Sequence, residues 1–183
     1  MYLTLSIIFD EFCKHFDGKL KWSSSRAEWT DAIFNFFSEL NKKQYRPLKE
    51  EKEYMHIDYL WRDVSIFPYQ SIELAVEHEN EFAFNEFLEG EIQHLLDIKA
   101  DNKIAITYPS LGEEEDLVSK VKERIKQYAR KLPTFESYLL ILGFATRKGG
   151  KPAIRFKGYL FDKDGELKDT KDQTIFQRTL ERV

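Results

Sequence analysis

The residues best equipped for chemistry fall in one short run, Ile72-Glu73-Leu74-Ala75-Val76-Glu77-His78-Glu79-Asn80. Read as a strand, it sends Glu73, Ala75, Glu77 and Glu79 to one side and Leu74, Val76 and His78 to the other. Three like charges on one side repel one another and resist burial, so water, a basic partner or a cation must compensate them. Clustered carboxylate oxygens suit a hard divalent ion, Mg2+ or alternatively Mn2+. A fourth acid, Asp58, lies in the preceding aromatic and apolar run 54–61, alternating with His56 and Leu60. If the two runs pair as a meander, Asp58 meets Glu77 and Glu79 near the strand ends. Acids so grouped can hold one or two metal ions, activate water and stabilise a pentacovalent phosphate. The apolar setting of Ile72, Leu74, Val76, Phe82 and Phe84 predicts a buried strand, where an idle charge is costly. The competing reading is a solvated sheet face, and it is preferred for Glu73. His78 is expected to pack on the opposite face. His56 is a weak candidate for a water or phosphate contact.

These acids need elements to position them. Leu5, Ile8, Phe9, Phe12 and Phe16 share one face of a helix over 3–16, which Gly18 ends. Ser23-Ser24-Ser25 opens a second helix. Ser25 with Glu28 forms a capping box, which occupies Glu28 more readily than a metal would. Trp29, Ile33, Phe36, Phe37 and Leu40 are its buried stripe. Pro47 and the charged stretch Lys49 to Glu53 read as loop, and Asp63 to Tyr69 as an irregular link. Strands are predicted over 54–61, 71–79, 103–108, 138–144 and 153–161. A helix capped by Asn80 runs to about Ile98, and another spans 114–131. Gly149-Gly150 and Asp164-Gly165 signal tight turns. With no linker and no repeat, residues 1–183 read as a single α/β domain with helices packed over a mixed sheet.

The order of acids and elements resembles the PD-(D/E)XK phosphodiesterase superfamily, which has the restriction-endonuclease-like fold. That pattern places an acid on one strand and acid-any-Lys on the next, followed by a helix and a further strand. It maps onto Asp58, then Glu77-His78-Glu79, then the helix from Asn80 and the strand at 103–108. The resemblance implies a nuclease-like core at about 25–145, with the helix 3–16 and the hairpin 138–183 as additions. It implies Asp58, Glu77 and Glu79 as metal-binding and catalytic residues. Glu79 stands where the family usually has Lys, so it would bind metal or accept a proton. The family has three strands before the second helix, whereas two are legible here, and Asp63 to Pro68 is the stretch left to hold a third. Lys99 and Lys103 have no evident place in the site.

Two basic clusters remain. Arg147, Lys148 and Lys151 flank the Gly-Gly turn, with Arg155 and Lys157 beyond, and such a turn can grip phosphate. Lys120, Lys122, Arg124, Lys126, Arg130 and Lys131 concentrate on one helix. For both, a solvated charged surface is the alternative. The net charge of −4 argues against coating nucleic acid by bulk attraction. Asp162-Lys163-Asp164-Gly165 fails as a calcium loop because its glycine comes too early.

A composition 42% hydrophobic, with 15 Phe, excludes general disorder. The lone cysteine, Cys13, excludes internal disulfides and a cysteine-based zinc site. No apolar run long enough to span a membrane occurs. Met1 to Phe16 carries Asp10 and Glu11 and lacks the marks of a signal peptide, so a cytoplasmic location is expected. Two functions follow. One is a metal-dependent nuclease-like protein acting on nucleic-acid phosphodiesters. The other is a catalytically degenerate module of the same fold that contacts nucleic acid or a partner protein. A small acidic nuclease is expected to work as a homodimer or within a complex.

Overall fold

A computed structural model describes residues 3–19, 25–65, 71–129 and 136–177. Two helices come first. In α1 (Leu5–Phe16) the Thr4 hydroxyl accepts from the Ile7 amide, and Leu5, Ile8, Phe9, Phe12, Cys13 and Phe16 are buried. The chain leaves this helix through Gly18 at φ +70°. The capping box of α2 (Arg26–Lys42) is formed in both directions between Ser25 and Glu28. Burial of Trp29, Ile33, Phe34, Phe36, Phe37 and Leu40 packs this helix against the sheet and α1.

Seven strands follow: β1 (Lys49–Tyr54), β2 (Ile57–Asp63), β3 (Ser71–Glu79), β4 (Ala100–Thr107), β5 (Ser137–Lys148), β6 (Lys151–Phe161) and β7 (Leu167–Phe176). They form one mixed sheet in sequential order. β3, β4 and β5 are parallel neighbours. The outer pairs on both sides are antiparallel. The helices α3 (Phe84–Glu89), α4 (Glu91–Asp97) and α5 (Glu114–Ala129) carry the parallel crossovers. Both crossovers cover one face, where Ala75, Ala105 and Leu140 meet Leu88, Ile92, Leu95, Leu117 and Val121. The opposite face meets α1 and α2 through Tyr59, Trp61, Val76, Ile106, Ile141 and Phe156. Coverage of both faces explains the continuous apolar runs of β4 and β5. α1 comes close enough to the sheet that a Cβ at Gly158 would lie 2.6 Å from the Phe9 ring.

Three expectations are corrected. Lys49 to Glu53 is no loop: with Tyr54 it forms β1, paired antiparallel to β2. Its charged side chains suit an unpaired sheet edge. It adds a strand ahead of α3 to the two read from the sequence. The helix expected from Asn80 begins at Phe84 and is interrupted at Gly90, which gives α3 and α4. Asn80 caps no helix; its side-chain amide donates to the Arg26 carbonyl and the Thr30 hydroxyl of α2. The polar segment 167–176, unassigned from sequence, forms the other edge strand, β7. Ser23-Ser24, the link over 66–69, Arg130, Lys131 and residues 178–183 lie outside the described residues.

Candidate functional site

The β2–β3 register sets Tyr59 opposite Val76 and Leu60 opposite Ala75. One further step along this antiparallel pair brings Asp58 opposite Glu77, on the face covered by α3 to α5. The His78 amide donates to Asp58 Oδ2 at 2.8 Å and fixes the Asp58 carboxylate against β3. Glu77 is only 2% exposed. Its Oε1 atom has no hydrogen-bond partner among the described residues. Burial pushes the Glu77 carboxyl up to about 10, helped by the charge of Asp58, a hydrogen bond with the Asp58 side chain and the charge of Glu91. The Asp58 backbone amide opposes this rise. Without a cation, Glu77 therefore holds a proton at neutral pH.

Two residues of α4 complete this cluster. Glu91 opens the helix and is half-buried; burial, then the charges of Glu79 and Asp58, raise its carboxyl above the ordinary value. One turn later, His94 Nδ1 lies 3.4 Å from Glu77 Oε1. The two make no hydrogen bond, so Oε1 remains unpaired. His94 stacks on His56, with ring centroids 5.4 Å apart at 25°. His56 sits with Met55 in the β1–β2 turn, and both have positive φ, as does Glu53 near the end of β1. Glu79 is partly buried at the end of β3, where it accepts a hydrogen bond from the Glu81 amide. Glu81 in turn pairs with Arg26 of α2.

Asp58 and Glu77 are thus brought together, and Glu79 lies on the same side at the rim. Glu73 lies four residues back along β3, hydrogen-bonded by the Ser71 hydroxyl. His78 packs on the opposite face: its Nε2 is 3.0 Å from the Tyr108 hydroxyl, and burial pushes its imidazole down to about 3. Lys103 points to the site's face but is engaged elsewhere, donating to Glu136 at 2.6 Å under complete burial. Cys13 is a buried core thiol pushed up by burial to about 12.

Asp58 and Glu77 are the residues that could hold a hard cation, and Glu77 would have to give up its proton to do so. Among the described residues, no group of three or more His, Cys, Asp or Glu is placed so that it could hold a metal ion. The arrangement is an open pair, Asp58 and Glu77, with Glu79, Glu91 and His94 at its margin. Sequence reasoning missed Glu91 and His94. Their spacing, one helical turn apart beside the inward Ile92, Leu95 and Leu96, was the available signal.

The basic hairpin divides into two groups. Arg155 makes a forked pair with Asp172. Lys157 reaches Glu114 at 2.6 and 2.9 Å, and the Tyr159 hydroxyl joins the same carboxylate. Arg147 and Lys151 are exposed with no acidic partner among the described residues. Exposed Lys148 lies over the Phe176 ring. The strand register puts Glu79, Thr107 and Leu142 level. Six further residues of β5 put the hairpin tip about 20 Å beyond Glu79, at the same end of the sheet. The basic helix face is largely neutralised: Lys122 and Lys126 pair with Glu166, and Lys120 with Glu123. Asp162 accepts the Asp164 and Glu166 amides and pairs with Lys168, as a tight turn should. No helix among the described residues is long and apolar enough to cross a membrane.

No protein-family model and no curated protein matches the sequence. Among solved structures, a similar chain is the central domain of yeast acetyl-CoA carboxylase, at 13% identity and a TM-score of 0.33. The match covers 68% of this chain and 24% of that one. So distant a likeness carries no argument about function.

Proposed function

We propose that this protein is a divalent-metal-dependent, nuclease-like protein with a restriction-endonuclease-like core, acting on nucleic-acid phosphodiesters. The observation that carries the reading is the Glu77 carboxylate, buried, unpartnered at Oε1 and facing Asp58 across two paired strands. An idle pair of this kind costs folding free energy, and a cation relieves it. The element order supports the same reading: α2, the meander β1 to β3, two short helices, then β4 parallel to β3.

Asp58 and Glu77 would hold Mg2+ or Mn2+, which when bound supplies charge neutralisation at the phosphate and a more acidic water. Glu77 gives up its proton to bind the ion. Asp58 keeps its orientation through the His78 amide. Glu79, at the rim where the family carries Lys, accepts a proton from water. Arg147, Lys148 and Lys151, at the same end of the sheet, meet the phosphate backbone. Arg155 and Lys157 have their charges satisfied by Asp172 and Glu114 and serve chiefly to hold that hairpin.

The test is incubation with DNA and RNA, single- and double-stranded, in Mg2+ or Mn2+. Cleavage by the wild type, lost in both Glu77→Gln and Asp58→Asn, is expected. A second reading, the binding module without chemistry, is favoured by the tie between Glu79 and the Glu81 amide, which takes up part of the one acid standing in for the lysine. Retention of nucleic acid without cleavage in either metal selects it.

A further inference from the structure

This inference rests on the nucleic-acid reading above and names the form of substrate that reading leaves open. We infer that the β1–β2 turn is a stacking subsite for one unpaired nucleobase, seated on the His56 ring, so that the protein engages single strands in preference to duplexes. The backbone is the first argument. Met55 and His56 lie between Tyr54 and Ile57, which pair directly, and both have positive φ. Such a turn favours Asn and Gly, because larger residues in this conformation cost energy. Yet Met55 is 70% exposed and His56 is exposed too, so core packing does not account for these large side chains.

The second argument is the shape beside the turn. An open pocket of about 460 Å3 is lined by Glu53, Met55, His56, Ile57 and Asp58. Its volume lies in the range of small-ligand sites. The His56 ring is held there by His94, with the two rings stacked at 25° and their centroids 5.4 Å apart. His94 is carried by α4, which buries Ile92, Leu95 and Leu96. One face of His56 is thus taken, and the exposed remainder of a held ring is what a base needs for stacking. Met55 adds a polarizable thioether at the same wall.

The third argument is electrostatic. Glu53 and Asp58 repel a phosphate at this pocket, whereas a neutral base can carry amine donors that carboxylates accept. The phosphates instead meet Arg147, Lys148 and Lys151, which stand at the same end of the sheet, because β2 starts level with the end of β3. A base inside a duplex is paired and stacked on its neighbours and cannot enter, so the occupant must be unpaired.

The experiment measures binding of the full chain to a short fluorescein-labelled single strand and to its duplex by anisotropy, in chelator and in Mg2+. A 2-aminopurine base in the single strand reports stacking through its fluorescence. The variants are His56→Asn, which removes the ring but tolerates positive φ, and His56→Phe, which keeps a ring. The wild type should bind the single strand roughly tenfold or more tighter than the duplex and shift the 2-aminopurine signal. His56→Asn should weaken single-strand binding roughly 5–150-fold, abolish that shift and leave duplex binding unchanged, while His56→Phe retains both. Melting curves confirm that the variants fold. Equal affinity of the wild type for the two forms, no loss in His56→Asn, or equal losses in both variants overturns the subsite alone. Absence of binding to either form, in chelator and in Mg2+, overturns both this inference and the function it rests on.

Discussion

The His78 backbone amide donates to Asp58 Oδ2 across the β2–β3 ladder at 2.8 Å, while the His78 side chain points to the other face of the sheet. One residue thereby separates two tasks. Its backbone holds an acid of the candidate site, and its ring, kept neutral by burial, fastens β3 to Thr30 and Tyr108 beneath α2. The carboxylate pair is thus built on two hydrogen-bonded strands rather than on loops, and its orientation should survive changes in the surrounding turns.

The first prediction concerns pH. Glu77 titrates near 4.5 when unfolded and at about 10 when folded without metal. Between those values the folded state keeps a proton that the unfolded state releases, so stability falls as pH rises across this window. In chelator, the wild-type melting temperature should decline with pH relative to that of Glu77→Gln, which carries no titrating group there. Parallel curves for the two proteins would contradict the assignment.

A second prediction separates the cations of the hairpin. Neutralising Arg147, Lys148 and Lys151 together should weaken nucleic-acid binding and make its logarithmic salt slope shallower by about 3. Arg155→Ala should leave that slope unchanged, because Asp172 already neutralises the guanidinium. Anisotropy titrations at several salt concentrations distinguish the two, and equal effects would refute the division.

The buried Lys103–Glu136 pair gives a third. Lys103→Met leaves the Glu136 carboxylate buried with only the Tyr138 hydroxyl, which donates at 2.6 Å. The expected loss is about 3–5 kcal/mol by chemical denaturation. Adding Glu136→Leu should recover most of it. A double variant as unstable as the single one would mean that the pair contributes more than mutual compensation.

A fourth tests how closely α1 is docked. Gly158→Ala places a methyl group against the Phe9 ring, which is itself fully buried. Destabilisation of about 1–3 kcal/mol is expected, with partial relief from Phe9→Leu. No loss in Gly158→Ala would show that α1 rides more loosely on β6 than these contacts imply.

The parts of the fold legible in the sequence are those with strong local signals. The stripe of Ile8, Phe9 and Phe12, the Ser25–Glu28 box, the apolar run of β5 and the Gly149-Gly150 turn each specify themselves. β1 and β7 were not legible because edge strands carry charges and polar residues, which read as loop when pairing cannot be seen. The break at Gly90 was hidden because apolar spacing continues across it through Leu88, Ile92 and Leu95. In the site, the Asp58–Glu77 opposition followed from alternation within two strands joined as a meander. Glu91 and His94 did not, because their approach depends on how α4 lies across the sheet, a tertiary relation with no counterpart in strand alternation.

The most direct test of the central claim is the melting temperature of wild type and Glu77→Gln with and without millimolar Mg2+ or Mn2+. Stabilisation of the wild type by metal, abolished in Glu77→Gln while that variant melts normally in chelator, is the predicted result. An identical response of the two proteins, or none in either, contradicts a divalent ion between Asp58 and Glu77.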